Sequence, residues 1–88
     1  MFEFDQKKSE SNKLLHGADF VEAQAIWEDP HMIVGPADST TEERWAAVGA
    51  MGKKMWFVAF TMRNLTVRII TCRPARDYER QAYEDSKD

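Results

Sequence analysis

Arg68, Arg73, Arg76 and Arg80, with Tyr83 close behind them, are the residues of this chain best suited to chemistry on a phosphate. A guanidinium offers a planar fork of donors that matches phosphate oxygens, and it keeps its charge at any ordinary pH. Arginines beside aromatic rings, here Tyr83 with Trp45, are what a single-stranded RNA groove requires. Cleavage of RNA in such a groove asks little more. The ribose 2′-hydroxyl attacks the neighbouring phosphate while cations stabilise the charge developing on the phosphoryl oxygens. One base completes the set, either His16, since imidazole is a common proton carrier in catalysis, or an acid such as Glu43. Arg73 and Arg80 are expected to hold the scissile phosphate, and Arg44, Arg68, Arg76 and Tyr83 to contact the RNA.

Other chemistries find less support. His31 has no second histidine or carboxylate at ligand spacing, so no metal site is expected. The single cysteine, Cys72, rules out an intrachain disulfide and a cysteine-based zinc cage, and within a strand it reads as a small buried side chain. No glycine-rich phosphate loop and no Ser-His-Asp order is present, and no cofactor is expected. His16 also has a purely structural reading, as a cation favoured at a helix C-terminus, and Glu42 and Glu43 have one as ion-pair partners of Arg44.

The elements that position these residues follow from period and punctuation. Eighty-eight residues suit one domain, 1–88. Phe2-Glu3-Phe4 alternates like an edge strand, and Asp5 caps a helix over Gln6–Leu15 that His16-Gly17 ends. Lys7, Lys8, Ser9 and Glu10 are expected on its solvated side. Asp19 with Glu22 forms a capping box for a second helix, Phe20–Trp27. Strands are then expected at His31–Val34, Arg44–Val48, Met55–Thr61 and Leu65–Arg73. They are joined by a loop over Gly35–Thr40, a turn over Gly49–Gly52 and a tight connection at Met62-Arg63-Asn64. Plain alternation along the last strand puts Leu65, Val67, Ile69 and Thr71 on one face and Thr66, Arg68, Ile70 and Cys72 on the other. Pro74 suits the first turn of a final helix packed through Tyr78 and Ala82. The expected class is α+β: two helices, an antiparallel meander of about four strands, and a C-terminal helix.

Charge divides along the chain. Residues 1–52 carry four Lys/Arg against ten Asp/Glu, whereas residues 53–80 carry seven against two. This predicts a basic face beside an acidic one on a protein whose net charge is only −3. The longest apolar run is far short of the ~18 residues a membrane span needs, and the opening residues lack the pattern of a secretory signal. A cytosolic protein with no membrane contact is expected.

Taken in order, Phe4-Asp5, Lys8, Asn12, His16-Gly17, Phe20, Glu22 and Ala23, then Glu42-Glu43-Arg44 and Gly49, then Arg68 to Arg73, Ala75, Glu79-Arg80 and Tyr83 resemble the BrnT toxins of type II toxin–antitoxin systems. The resemblance implies a RelE/ParE-like fold and metal-independent endoribonuclease activity that arrests growth. It also implies a DNA-binding antitoxin of BrnA type, with which the toxin acts as co-repressor in an antitoxin-bridged tetramer. Two positions depart from the family pattern. Leu15 stands where lysine is usual before His-Gly, removing a cation near the expected site, and Thr71-Cys72 replaces Ser-Ala. Two other functions fit the same sequence: a non-catalytic antitoxin-binding co-repressor, and a ParE-like gyrase poison.

Overall fold

The computed structural model describes residues 1–37 and 43–87. It is α+β, as expected, with the strands of a single sheet in the order β1-β5-β4-β3-β2. These are β1 (Phe2–Glu3), β2 (Ile33–Ala37), β3 (Arg44–Met51), β4 (Lys54–Arg63) and β5 (Thr66–Pro74). The last four form the antiparallel meander; β1 joins it as a fifth strand, parallel to β5. Helix α1 (Gln6–His16) and a 3-10 helix (Glu22–Glu28) cover one face, and α2 (Asp77–Ser86) packs on part of the other.

Local chemistry sets most of the boundaries. The Asp5 carboxylate accepts the Lys8 N–H at 3.0 Å, and Gly17 closes α1 in the left-handed region at φ 91°. Asp19 and Glu22 exchange side-chain-to-backbone bonds of 2.7 and 3.0 Å as a capping box, although the segment they open winds as a 3-10 helix. Asn64, at φ 57°, turns the β4–β5 hairpin, so Leu65 sits at its tip, 90% exposed, and not in the strand. Gly49 lies inside β3 and not in a turn. A Cβ there would stand 3.1 Å from the Cβ of Ile26, and its absence lets the 3-10 helix rest on the sheet. Gly35-Pro36-Ala37 belongs to β2 because an outermost strand has no outer neighbour for proline's missing N–H to serve. The remainder of that expected loop, 38–40, and Glu42 lie outside the described residues.

The core lies between the sheet and the first two helices, around Phe20, Ile26, Val58, Ile69 and Cys72. Burial pushes the Cys72 thiol up to about 12, which suits the inert packing role expected of it. Helix α1 contributes no aliphatic side chain to this core. Its buried residues are Ser9 and Asn12. The Ser9 hydroxyl, expected in solvent, accepts the Phe20 N–H at 2.8 Å. The Asn12 side-chain amide works as a surrogate strand. It donates to the carbonyls of Cys72 (2.6 Å) and Ala18 (2.7 Å) and accepts the Cys72 N–H at 3.3 Å. It thereby satisfies the β5 edge beyond the point where β1 stops.

β5 is interrupted by a bulge. Ala59 pairs with Thr71 and Phe60 with Ile69, leaving Ile70 as the extra residue. The phase of side-chain alternation inverts there. Val67, Ile69 and Cys72 face the core, while Arg68, Thr71 and Arg73 face the other side. Plain alternation therefore misplaced Thr71 and Cys72.

Candidate nucleic-acid interface

The sheet face that carries α2 is built in rows. Nearest the helix, Ile33, Val48, Phe57 and Arg73 stand side by side across four strands. The next row is small: Gly35, Ala46, Ala59 and Thr71. Beyond it Thr61 pairs with Arg68, and Arg44, one step past the Trp45–Phe60 pair, flanks Thr61 on the other side. A groove of about 430 Å³ runs between α2 and the first two rows, walled by Ile33, Val34, Val48, Phe57, Arg73 and Tyr78. One face thus passes from apolar, through small, to cationic.

Arg73 stands in the groove with its donors occupied. It forms a bidentate pair with Glu79 (2.8 Å to each oxygen), donates to the Pro74 carbonyl at 3.2 Å, and lies 3.9 Å above the Phe57 ring. Glu79, only 6% exposed, also accepts the Arg76 N–H at 2.8 Å at the start of α2. Burial alone would raise its pKa, but these bonds hold it below the ordinary carboxylate value. Arg73 is held above its own by Glu79 in return. This ion pair joins α2 to the sheet.

The other arginines are engaged more loosely. Arg80 pairs with Asp77 and donates to the Ala75 carbonyl at 3.1 Å, but Asp77 is 95% exposed and such a pair contributes little. Arg76 caps α2 with its backbone and extends an exposed side chain. Arg68 lies 3.5 Å from Glu3, both partly exposed. Five residues of β5 place the Arg68 and Arg73 corners roughly 16 Å apart along the strand. The expected set therefore shares a face without converging on one point. Arg80 is on the flank of α2 away from the groove, beside Met55, Gln81 and Glu84.

The expected bases separate too. Glu43 is exposed at the entrance to β3, and its carbonyl accepts the Thr61 hydroxyl at 2.9 Å, which ties it to the arginine row. His16 is half-buried at the end of α1, beside exposed Leu15, on the helix side of the sheet; Gly17 next to it approaches the core-facing Trp56. Neither aromatic is presented to a ligand. Trp45 packs on the core side, and Tyr83 is 3% exposed. The Tyr83 hydroxyl donates to Asp29 Oδ2 at 2.6 Å, the same oxygen that accepts the Ala50 N–H at 2.8 Å, while Oδ1 accepts the His31 N–H at 2.9 Å. Burial alone would raise Asp29, but Tyr83 and the two N–H groups hold it low. The Asp29 bond, with burial, pushes Tyr83 up to about 12.

A stability prediction follows from this contact. Tyr83→Phe keeps the packing and removes one bond to a carboxylate, an expected loss of about 1.5 kcal/mol by denaturant unfolding. Because the folded phenol holds its proton to about pH 12, its contribution is complete below the ordinary value of 10.0 and fades as pH rises between the two. The alkaline limb of parent stability should therefore flatten in the phenylalanine variant. Equal limbs in both proteins would show that the hydroxyl contributes nothing.

Arg63, expected in a tight connection between strands, is the residue of this face that the sequence reading missed. Arg63, the last residue of β4, is exposed on the same face as Thr61, two positions away. Among the described residues no group of His, Cys, Asp or Glu is arranged to hold a metal, and no helix is long and apolar enough to cross a membrane.

The family model described as the ribonuclease toxin BrnT of type II toxin–antitoxin systems matches residues 4–79. The chain belongs to the BrnT family. The match begins just before α1 and ends at Glu79, so it takes in the whole sheet from β2 to β5 and the Arg73–Glu79 pair. Among curated proteins no sequence matches the chain. A BrnT toxin implies a cognate antitoxin as its partner.

Proposed function

We propose that this BrnT-family chain is an endoribonuclease whose working surface is the sheet face bearing Arg44, Thr61 and Arg68. The observation that carries this reading is the placement of two arginines in one row with exposed Glu43 tied to its end. In the proposed step Glu43 takes the proton of a ribose 2′-hydroxyl, the 2′-oxygen bonds to phosphorus, and the bond to the 5′-oxygen breaks. The departing oxygen is protonated by water, leaving a 2′,3′-cyclic phosphate. Arg44 and Arg68 stabilise the charge on the phosphoryl oxygens. Arg80 and Arg76 extend the backbone contact beyond the groove, whereas Arg73 acts through Glu79 by fixing α2. No metal enters this step. We further propose that a BrnA-like antitoxin neutralises the toxin by covering this face and supplies the DNA contact for co-repression in a tetramer.

A second reading is favoured by the internal ion pairs. Arg73, Arg80 and Arg68 each have a carboxylate of their own chain, and Leu15 adds no cation beside His16. These features suit a non-catalytic co-repressor. Purified protein incubated with cellular RNA in the presence of a chelator separates the two. Cleavage to cyclic-phosphate ends, slowed about 100-fold by Glu43→Gln, is the expected result. RNA left intact would establish the binder, and undiminished cleavage by the glutamine variant would remove Glu43 as the base.

A further inference from the structure

We propose that Arg63 joins Arg44 and Arg68 in a single phosphate-binding site around Thr61, one that grips the backbone of single-stranded RNA. The site rests on the reading of this face as the RNA surface and adds to it Arg63, which lies outside the residues expected to contact RNA. Arg63 pairs with Thr66, and Thr61 with Arg68, so Arg63 and Arg68 are diagonal neighbours on one face of the hairpin. Such neighbours stand about 7–8 Å apart, within reach of long side chains, and Arg44 lies about 10 Å from Arg68 across the intervening strand. The two-residue turn at Asn64-Leu65 holds this geometry, since the ladder runs without interruption from Phe60–Ile69 to Arg63–Thr66.

Arg63 and Arg68, diagonal neighbours of like charge on the hairpin, repel one another. The one described carboxylate at ion-pair distance from Arg63 or Arg68 is Glu3, 3.5 Å from Arg68 and 41% exposed. An exposed pair of that kind contributes at most about 1 kcal/mol, and a phosphate that accepts forked donors displaces it readily. The contrast with the α2 corner is physical. There the guanidinium of Arg73 is locked by a buried carboxylate and an aromatic ring, whereas Arg63 is exposed and its stem stands on a rigid strand end. Phosphate therefore binds at the end of the sheet remote from α2.

The test uses the full-length protein and a fluorescein-labelled single-stranded RNA, 2′-O-methylated throughout so that it cannot be cleaved. Arg63→Gln changes an exposed position, with its folding checked by urea unfolding; Lys53→Gln, an exposed charge in the β3–β4 turn at the opposite end of the sheet, is the control. Arg63→Gln should weaken binding about tenfold and lower the slope of log affinity against log salt by about 0.7, the loss of one single-strand phosphate contact. Lys53→Gln should leave both unchanged. A single-stranded DNA of the same sequence should suffer the same loss, because the contact is to phosphate. Equal affinities and slopes for Arg63→Gln and the parent would overturn the site, as would a loss seen on one nucleic acid alone. The outcome is independent of catalysis. Weakened binding by a protein that never cleaves RNA would leave the site standing and the nuclease reading fallen. Cleavage by a protein indifferent to Arg63 would do the reverse.

Discussion

Replacing Asn12 with alanine is expected to destabilise the fold by about 3 kcal/mol, seen as a fall in melting temperature of roughly 15 °C for a domain of this size. The side chain is 6% exposed and serves the Cys72 carbonyl at 2.6 Å, the Ala18 carbonyl at 2.7 Å and the Cys72 N–H at 3.3 Å. Removing it strands these groups in a place water does not reach, and a buried polar group without a partner costs more than the bond it lost. Asn12→Asp keeps the shape and reverses the chemistry. It sets a carboxylate against two carbonyls, so a loss of about 4 kcal/mol is expected at neutral pH, with partial recovery as acid protonates it. Urea unfolding of the three proteins at pH 7 and pH 5 measures both effects. A loss below about 1 kcal/mol for either variant would mean that the β5 edge is satisfied by other means.

The second large effect concerns Arg73 and Glu79. Arg73→Ala leaves the Glu79 carboxylate buried without its bidentate partner, and breaking such a pair costs about 3 kcal/mol. The double change Arg73→Met with Glu79→Met should lie within about 1 kcal/mol of the parent, because an apolar replacement removes both charges together. Acid sharpens the comparison. Folded Glu79 and Asp29 are both held below their ordinary values, 4.5 and 3.8 for the free side chains. The unfolded chain therefore takes up protons first as pH falls, and the stability these groups contribute above pH 4.5 disappears as pH drops through their lowered folded values. The double methionine variant should show a shallower acid limb, since Glu79 no longer contributes to it. If Arg73→Ala is as stable as the parent, the pair is not what binds α2 to the sheet. Loss of toxicity in Arg73→Ala would otherwise report unfolding, and only a folded variant speaks to chemistry.

Much of this architecture could be read from residues with strong local preferences. Asp5, Gly17, the Asp19–Glu22 box and Asn64 each act within a few positions, so their effects survive transfer from sequence to structure. What escaped was decided by contacts remote in the chain. Pro74 was expected to start the last helix, yet it extends β5 opposite Trp56, and the Ala75 N–H continues to the Met55 carbonyl; the helix then begins after Arg76. Tyr78 and Ala82 were expected to pack, but the buried positions are Glu79 and Tyr83, four apart, because the salt bridge to Arg73 rotates α2 onto them. Tyr83 consequently turned from a presumed RNA contact into the partner of Asp29. Asn12 carried one faint signal, a poor helix former three positions after a serine in a helix with no apolar stripe. For the site, the charge division foretold a cationic surface, but strand register alone reveals which arginines share it.

That sharing depends on Ile70. Arg68 and Arg73 are an odd number of positions apart, which on an unbroken strand would send them to opposite sides. Straightening the strand with Ile70 kept in the ladder would drive the Arg73 guanidinium into the hydrocarbon interior and turn the thiol of Cys72 outward. Deleting Ile70 would instead leave Ala59 opposite Thr71 and Phe60 opposite Ile69, so the one surplus residue lets an odd spacing keep both guanidiniums on one surface.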